Sequence, residues 1–114
     1  MVAGLLAALF LITALVFLTP IPGQAAKIGG GDLTFKDTKD QKPVLFSHEN
    51  HVKAGAQCTD CHVKIFKLKS GEAQKTGKFT MDSMRAGQFC GTCHSGSKAF
   101  SVKDNANCNK CHKQ

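Results

Sequence analysis

Three copies of the pattern Cys-x-x-Cys-His constrain this 114-residue chain more than any other feature of its sequence. They occupy residues 58–62, 90–94 and 108–112 and use all six cysteines and three of the five histidines. Two thiols at this spacing reach the two vinyl groups of one porphyrin, and the adjacent histidine can bind its iron, which is the attachment pattern of c-type haem. The sequence therefore predicts three haem c groups held by nine residues: Cys58, Cys61, His62, Cys90, Cys93, His94, Cys108, Cys111 and His112.

Zinc binding and thiol redox chemistry are the alternatives for these motifs. Paired Cys-x-x-Cys units can bind zinc, and a single unit can act as a thiol redox centre. Neither chemistry requires a histidine directly after every cysteine pair, whereas this chain has one after all three. The repetition therefore favours haem.

The composition of residues 27–114 also requires a core that the polypeptide does not supply. This stretch carries all 15 Lys and Arg and all 8 Asp and Glu, for a formal net charge of +7. Its nine Val, Ile and Leu and six Phe make roughly 17% of the residues, below the ~20% at which a highly charged chain is expected to be disordered. Haem rings would fill the core, and their propionates would offset much of the positive charge, so basic charge is no indication of nucleic-acid binding here.

The first 26 residues carry no charge and include an apolar run from Val2 to Leu18. Followed by Pro20, Pro22 and small residues, this run predicts a signal peptide over residues 1–25, a mature domain over 26–114 and a periplasmic location. No Lys or Arg precedes the run. Because about seventeen apolar residues reach the lower limit for a membrane span, the alternative is an uncleaved anchor that tethers the protein to the inner membrane, facing the periplasm.

Two histidines outside the motifs, His48 and His51, are candidate distal ligands. Ser47 is a favourable helix N-cap and Gly55 a favourable stop, so residues 48–54 are predicted to form a short helix. Side chains three residues apart leave a helix about 60° from each other, and so cannot bind opposite faces of one iron. We therefore expect the two histidines to serve two different haems.

Three irons offer six axial positions, and five histidines leave one position open. Thr80 can cap a short helix running to Gly87, which would place Met81 and Met84 on one face. A methionine sulfur opposite a histidine is an established haem c arrangement that raises the reduction potential. Met84, nearer the second motif, is the predicted ligand and Met81 is the alternative. A lysine amine, or no ligand at all, are the other candidates for this position.

The order of these features resembles the trihaem cytochrome c7 family, small relatives of tetrahaem cytochrome c3 from the periplasm of metal- and sulfur-reducing bacteria. Two histidines precede three motifs, with a long gap before the second motif and a short one before the third, and the resemblance covers residues 33–113. It implies a small haem-cored α+β fold, in which a two-stranded N-terminal hairpin ("DLTF" and "PVLF") and a few short helices wrap around three haems. It also implies a role in anaerobic respiration.

The resemblance implies specific axial pairs as well. Family members usually carry a sixth histidine shortly before the second motif, where this chain has Ala86, so it is similar to the variant with one His–Met haem. The implied pairs are His48 with His62, His51 with His94, and His112 with Met84. In the long segment before the second motif, Ile65–Leu68 and Thr76–Phe79 flank a turn and are predicted to form a second hairpin.

If protein side chains fill all six axial positions, no iron can bind a substrate, and the predicted function is electron transfer without enzymatic activity. An enzyme or gas sensor with one five-coordinate haem is the alternative, in which both methionines only pack against the ring. The expected partners are redox proteins with acidic docking faces, and no small-molecule substrate is expected. The candidate docking residues are four lysines that we expect to cluster around the third haem, although they equally suit an ordinary soluble surface: Lys98, Lys103, Lys110 and Lys113.

Overall fold

An antiparallel hairpin lies near the start of the part of the chain that the structure describes. The computed structural model describes residues 23–113, so the predicted signal peptide or anchor lies almost entirely outside the described residues. Strand β1 (Asp32–Phe35) pairs with β2 (Val44–Ser47), with Asp32 opposite Ser47 and Phe35 opposite Val44. The hairpin predicted from the alternating sequences is confirmed.

Short helices account for the other regular structure. None of the helices in residues 23–113 is long and apolar enough to cross a membrane. Three are 3₁₀ turns, at Ile28–Gly30, Phe89–Thr92 and Asn105–Asn107. The α-helices are α1 (His48–Lys53), α2 (Cys58–Cys61), α3 (Glu72–Lys75), α4 (Met81–Arg85) and α5 (Cys108–Cys111).

Side-chain caps begin the two helices that carry the candidate distal ligands. The Ser47 hydroxyl accepts a hydrogen bond from the Asn50 amide at the start of α1, and the Thr80 hydroxyl accepts one from the Ser83 amide at the start of α4. Such caps satisfy amide groups that the first turn leaves without partners. Both predicted helices are confirmed, but α1 ends one residue earlier than predicted and α4 ends at Arg85 rather than near Gly87.

The second hairpin predicted between residues 65 and 79 is wrong. The amides of Ile65 and Phe66 both donate to the carbonyl of Cys61, which folds the chain back onto the first motif. Gly71 then adopts a left-handed conformation and begins α3 instead of joining two strands. Glu72, at the start of α3, forms an ion pair of 2.7 Å with Lys75. Local bonds therefore replace the predicted strand pairing.

Apolar side chains in residues 23–113 form no buried core. No hydrophobic side chain in this range is fully buried, although several phenylalanines lie close together. The ring centroid of Phe79 is 5.2 Å from those of Phe35 and Phe89, and Phe66 lies 6.0 Å from Phe89. This cluster joins the hairpin to the second motif. The fold is the expected small α+β arrangement, with the polypeptide alone leaving its apolar side chains partly exposed.

Candidate haem-binding sites

The three Cys-x-x-Cys-His motifs adopt the same local turn. In each, the histidine amide donates to the carbonyl of the first cysteine, four residues earlier, over 2.8–2.9 Å. The first and third motifs form helices α2 and α5, and the second begins in the 3₁₀ turn Phe89–Thr92. One turn of helix brings residues at spacings of three and four to the same side. Each motif can therefore present two thiols and an imidazole together.

Thiols of different motifs lie near one another. Burial raises the pKa of the Cys90 thiol to about 11, and the thiols of Cys111 and Cys61 add to the shift. Burial also raises the pKa of Cys61, with a further contribution from Cys93. Charges influence each other in this way only over short distances. Cysteines of all three motifs therefore lie near one another.

Two pairs of imidazoles face each other across gaps of similar size. The ring centroids of His48 and His62 are 6.4 Å apart, with planes inclined by 17°. Those of His51 and His94 are 6.2 Å apart, with planes inclined by 74°. A metal ion bound by two opposed imidazoles, at bonds of about 2 Å each, puts the ring centres roughly 6 Å apart. Helix α1 thus places its two histidines opposite histidines of two different motifs.

Four of the five histidines have the nitrogen Nδ1 within hydrogen-bond distance of a backbone carbonyl. A carbonyl only accepts, so Nδ1 carries the proton and Nε2 is free to bind a metal. Metal-binding histidines commonly have such a partner, which also fixes the ring orientation. The four contacts are His48 to Gly31 (2.6 Å), His51 to Ser47 (2.8 Å), His94 to Phe100 (3.1 Å) and His112 to Lys42 (2.7 Å).

Burial distinguishes two of the motif histidines. Burial lowers the pKa of His94, which favours the neutral imidazole that binds iron. His62 differs from the other four because its Nδ1 is buried and has no hydrogen-bond partner among the described residues. The neutral imidazole of His94 agrees with axial ligation through Nε2, whereas His62 lacks the Nδ1 partner that metal-binding histidines commonly have. The residues present therefore fit haem c, with thiols, imidazoles and ring spacing all of the required kind.

The methionines lie beside the second motif. Met84 and His94 line a common cavity of about 160 Å³. A Cβ atom at Gly91, inside the second motif, would overlap the backbone oxygen of Met84, so helix α4 packs directly on this motif. Met81 and Met84 are both half-buried. The assignment of one of them to the third haem stays a prediction.

His112 of the third motif is held by the hairpin. Besides its Nδ1 contact with Lys42, its backbone pairs with Val44. This contact joins residues 70 positions apart and closes the C-terminal end of the chain onto the first strands. The candidate third site is therefore built by both ends of the domain.

The predicted docking lysines are distributed over more than one motif. Burial raises the pKa of Cys61 and Cys111, and a nearby lysine opposes the shift at each, Lys98 at Cys61 and Lys113 at Cys111. Lys110 belongs to the third motif itself, and its Nζ lies 4.8 Å from the centre of the Phe100 ring. Positive charge therefore accompanies both the first and the third motif.

Gly29 allows His48 to adopt its observed position, and Gly29→Ala is expected to displace the ring. Gly29 has a φ of +61°, and a Cβ there would lie 2.5 Å from two carbon atoms of the His48 imidazole. We expect a change in the low-spin ferric spectrum of one haem, measured by electron paramagnetic resonance of the holoprotein. Gly30→Ala is the matched control, since its φ of +81° imposes similar backbone strain but its Cβ would meet no atom within 4 Å. Equal spectral changes in the two variants would contradict this role for Gly29.

Comparison with known proteins gives the family. The family described as cytochrome c7 and related cytochrome c matches residues 44–113, more than half of the chain. No curated protein sequence matches the chain. The chain therefore belongs to the cytochrome c7 family.

Solved structures agree with this assignment. The chain is 38% identical to a c7-type three-haem cytochrome domain, with a TM-score of 0.60, over 72% of this chain and 91% of that one. It is also 38% identical to a C-terminal hexahaem fragment, with a TM-score of 0.59, covering 72% of this chain and 47% of the fragment. Against a dodecahaem cytochrome c, the identity is again 38%, with a TM-score of 0.58, over 72% of this chain and 24% of that chain. The chain thus spans about half of the fragment and about a quarter of the dodecahaem protein.

Family membership fixes the general class of activity. The protein is a c7-type multihaem cytochrome, which binds haem c with iron and transfers electrons.

Some residues at these sites carried no signal in the sequence. The carbonyl acceptors belong to Gly31, Lys42, Ser47 and Phe100, but every residue has a carbonyl, so the side chains do not mark them. Gly29 allows the close approach of the His48 ring, and Gly91 allows that of the Met84 backbone. The presence of a glycine inside the second motif is the one sequence signal that could have indicated this packing.

Proposed function

We propose that this protein is a periplasmic electron carrier that binds three haem c groups with all six axial positions filled by its own side chains. The observation that carries the proposal is the pair of opposed imidazoles, His48 with His62 and His51 with His94, at 6.4 and 6.2 Å. Bound haem supplies a one-electron ferric/ferrous couple. The three motifs supply the thioether bonds, and their convergence favours electron exchange between neighbouring sites.

The third axial pair is proposed to be His112 with Met84, with Met81 as the alternative. No sixth histidine exists in the chain, and α4, which carries both methionines, packs on the second motif. Thioether sulfur favours the ferrous state relative to imidazole, so this site would have the highest potential of the three. The two kinds of ligation would give the domain a stepped series of potentials.

An enzyme or gas sensor is the competing proposal. It requires that neither methionine binds iron, which would leave one position open for a small ligand. The contact between α4 and the second motif supports the electron-carrier proposal, because it holds Met84 close to the haem-binding region instead of leaving it in a free loop.

The proposed partners are redox proteins with acidic docking faces, reached by diffusion in the periplasm or from a membrane tether through residues 2–18. Lysines beside the first and third motifs support this proposal, since exposed basic groups steer acidic partners and do so less well at high salt.

Haem content tests the proposal. The full chain, produced in cells that attach haem c, is expected to have an intact mass equal to the polypeptide plus three haems. Cys108→Ala with Cys111→Ala is expected to remove one haem and leave two. A wild-type mass with two haems or fewer would contradict the proposed count. A protein that contains zinc and no haem would show that the motifs bind zinc.

A further inference from the structure

We infer that the protein holds the reduction potential at the second motif below that at the first through the backbone carbonyls that it offers to the axial imidazoles, and that Phe100 is the positioning residue for this difference. The inference rests on the proposed axial pairs, His48 with His62 and His51 with His94. It adds an order of potentials and assigns a role to a side chain outside the motifs.

Both imidazoles at the second motif have a carbonyl partner. His51 Nδ1 donates to Ser47 over 2.8 Å, and His94 Nδ1 donates to Phe100 over 3.1 Å. Such a bond makes the imidazole a more basic ligand. A more basic ligand stabilises ferric iron relative to ferrous iron, so the potential falls. Two such bonds are present at this motif.

The first motif has one bond of this kind. His48 Nδ1 donates to Gly31 over 2.6 Å, whereas His62 Nδ1 is buried and has no partner among the described residues. His62 is therefore the less basic of the two ligands at this site. With the other three imidazoles all carrying an acceptor, the missing bond makes ferrous iron relatively more favourable at the first motif.

Phe100 controls the acceptor of His94. The ring of Phe100 lies 4.4 Å from the His94 ring, while its carbonyl receives the Nδ1 proton of the same histidine. The loop is tied on either side, because the Ala99 amide donates to Cys93 and the Val102 amide donates to His94. The Phe100 ring also has Lys110 Nζ 4.8 Å from its centre. The ring thus holds in place the carbonyl that tunes His94.

The test is a redox titration of the holoprotein followed by nuclear magnetic resonance, which resolves each haem. At every haem, one electron from the titrating mediator converts ferric to ferrous iron. The ring planes assist assignment, because inclinations of 17° and 74° give low-spin ferric signals of different shape in electron paramagnetic resonance. We expect the haem at the second motif to accept its electron at a lower potential than the haem at the first motif. Phe100→Ala is expected to narrow this difference in reduction potential by at least half.

Phe79→Ala is the matched control. It removes the same atoms as Phe100→Ala, but from the phenylalanine cluster. It is expected to leave the gap unchanged, and Phe100→Leu is expected to narrow it less than Phe100→Ala. A wild-type second haem with the higher potential would overturn the inference, as would equal narrowing in the Phe100→Ala and Phe79→Ala variants. If the wild type shows no electron paramagnetic resonance signals of bis-histidine haem, the proposed axial pairs are contradicted, and the inference fails with them.

Discussion

Replacing Met84 with alanine is expected to abolish the weak far-red absorption band that methionine sulfur gives on ferric iron. Without the thioether, one haem becomes five-coordinate and high-spin, and its ferrous form binds carbon monoxide. Met84→His is expected to restore a low-spin, six-coordinate haem whose potential is lower than in the wild type by on the order of 0.1 V, a small part of the ~0.8 V that axial ligands span. Absorption spectra and potentiometry of the holoproteins give both results.

Met81→Ala provides the control, because Met81 lies on the same short helix and is also half-buried. It is expected to keep the far-red band. If Met81→Ala removes the band and Met84→Ala keeps it, the ligand is Met81. If the wild type lacks the band and binds carbon monoxide, the methionines only pack, and the enzyme or sensor proposal becomes the better one.

Gly91→Ala is expected to separate helix α4 from the second motif. A Cβ at this position would overlap the backbone oxygen of Met84, and a backbone atom cannot move aside as a side-chain tip can. Overpacking of this kind costs typically about 1–3 kcal/mol. We therefore expect a lower midpoint in thermal or denaturant unfolding of the holoprotein, together with a weakened far-red band if Met84 is the ligand.

Thr92→Ala controls for substitution within the same motif. Thr92 is exposed, and its hydroxyl donates to the carbonyl of Gly87 over 3.2 Å. Loss of this one hydrogen bond is expected to lower the unfolding midpoint much less than Gly91→Ala does. Equal unfolding midpoints for the wild type and Gly91→Ala would contradict the close packing of α4 on the second motif.

Local signals in the sequence predicted the parts of this fold that local physics determines. Ser47 and Thr80 are caps whose hydroxyls satisfy amides three residues later, and both begin helices where expected. The alternating residues of β1 and β2 predicted the hairpin in the same way. The haem-binding motifs could be identified without knowledge of the fold, because the spacing of two thiols and an imidazole is visible in the sequence.

Backbone hydrogen bonds of the folded chain, one set local and one long-range, explain what the sequence did not reveal. The strands predicted at Ile65–Leu68 and Thr76–Phe79 have suitable residues, but amides of the first segment donate back to Cys61 and α3 occupies the turn. Likewise, the contact of His112 with the Lys42 carbonyl spans 70 positions and depends on the folded backbone. Neither feature follows from residue type or periodicity.

The number of electrons that the holoprotein accepts, measured together with carbon monoxide binding, tests the central claim most directly. A coulometric titration of the wild type is expected to give three electrons per chain, and the fully reduced protein is expected to show no spectral change with carbon monoxide. That result is what three haems with protein ligands on both faces require. Fewer than three electrons, or a haem that binds carbon monoxide in the wild type, would contradict a closed three-haem electron carrier.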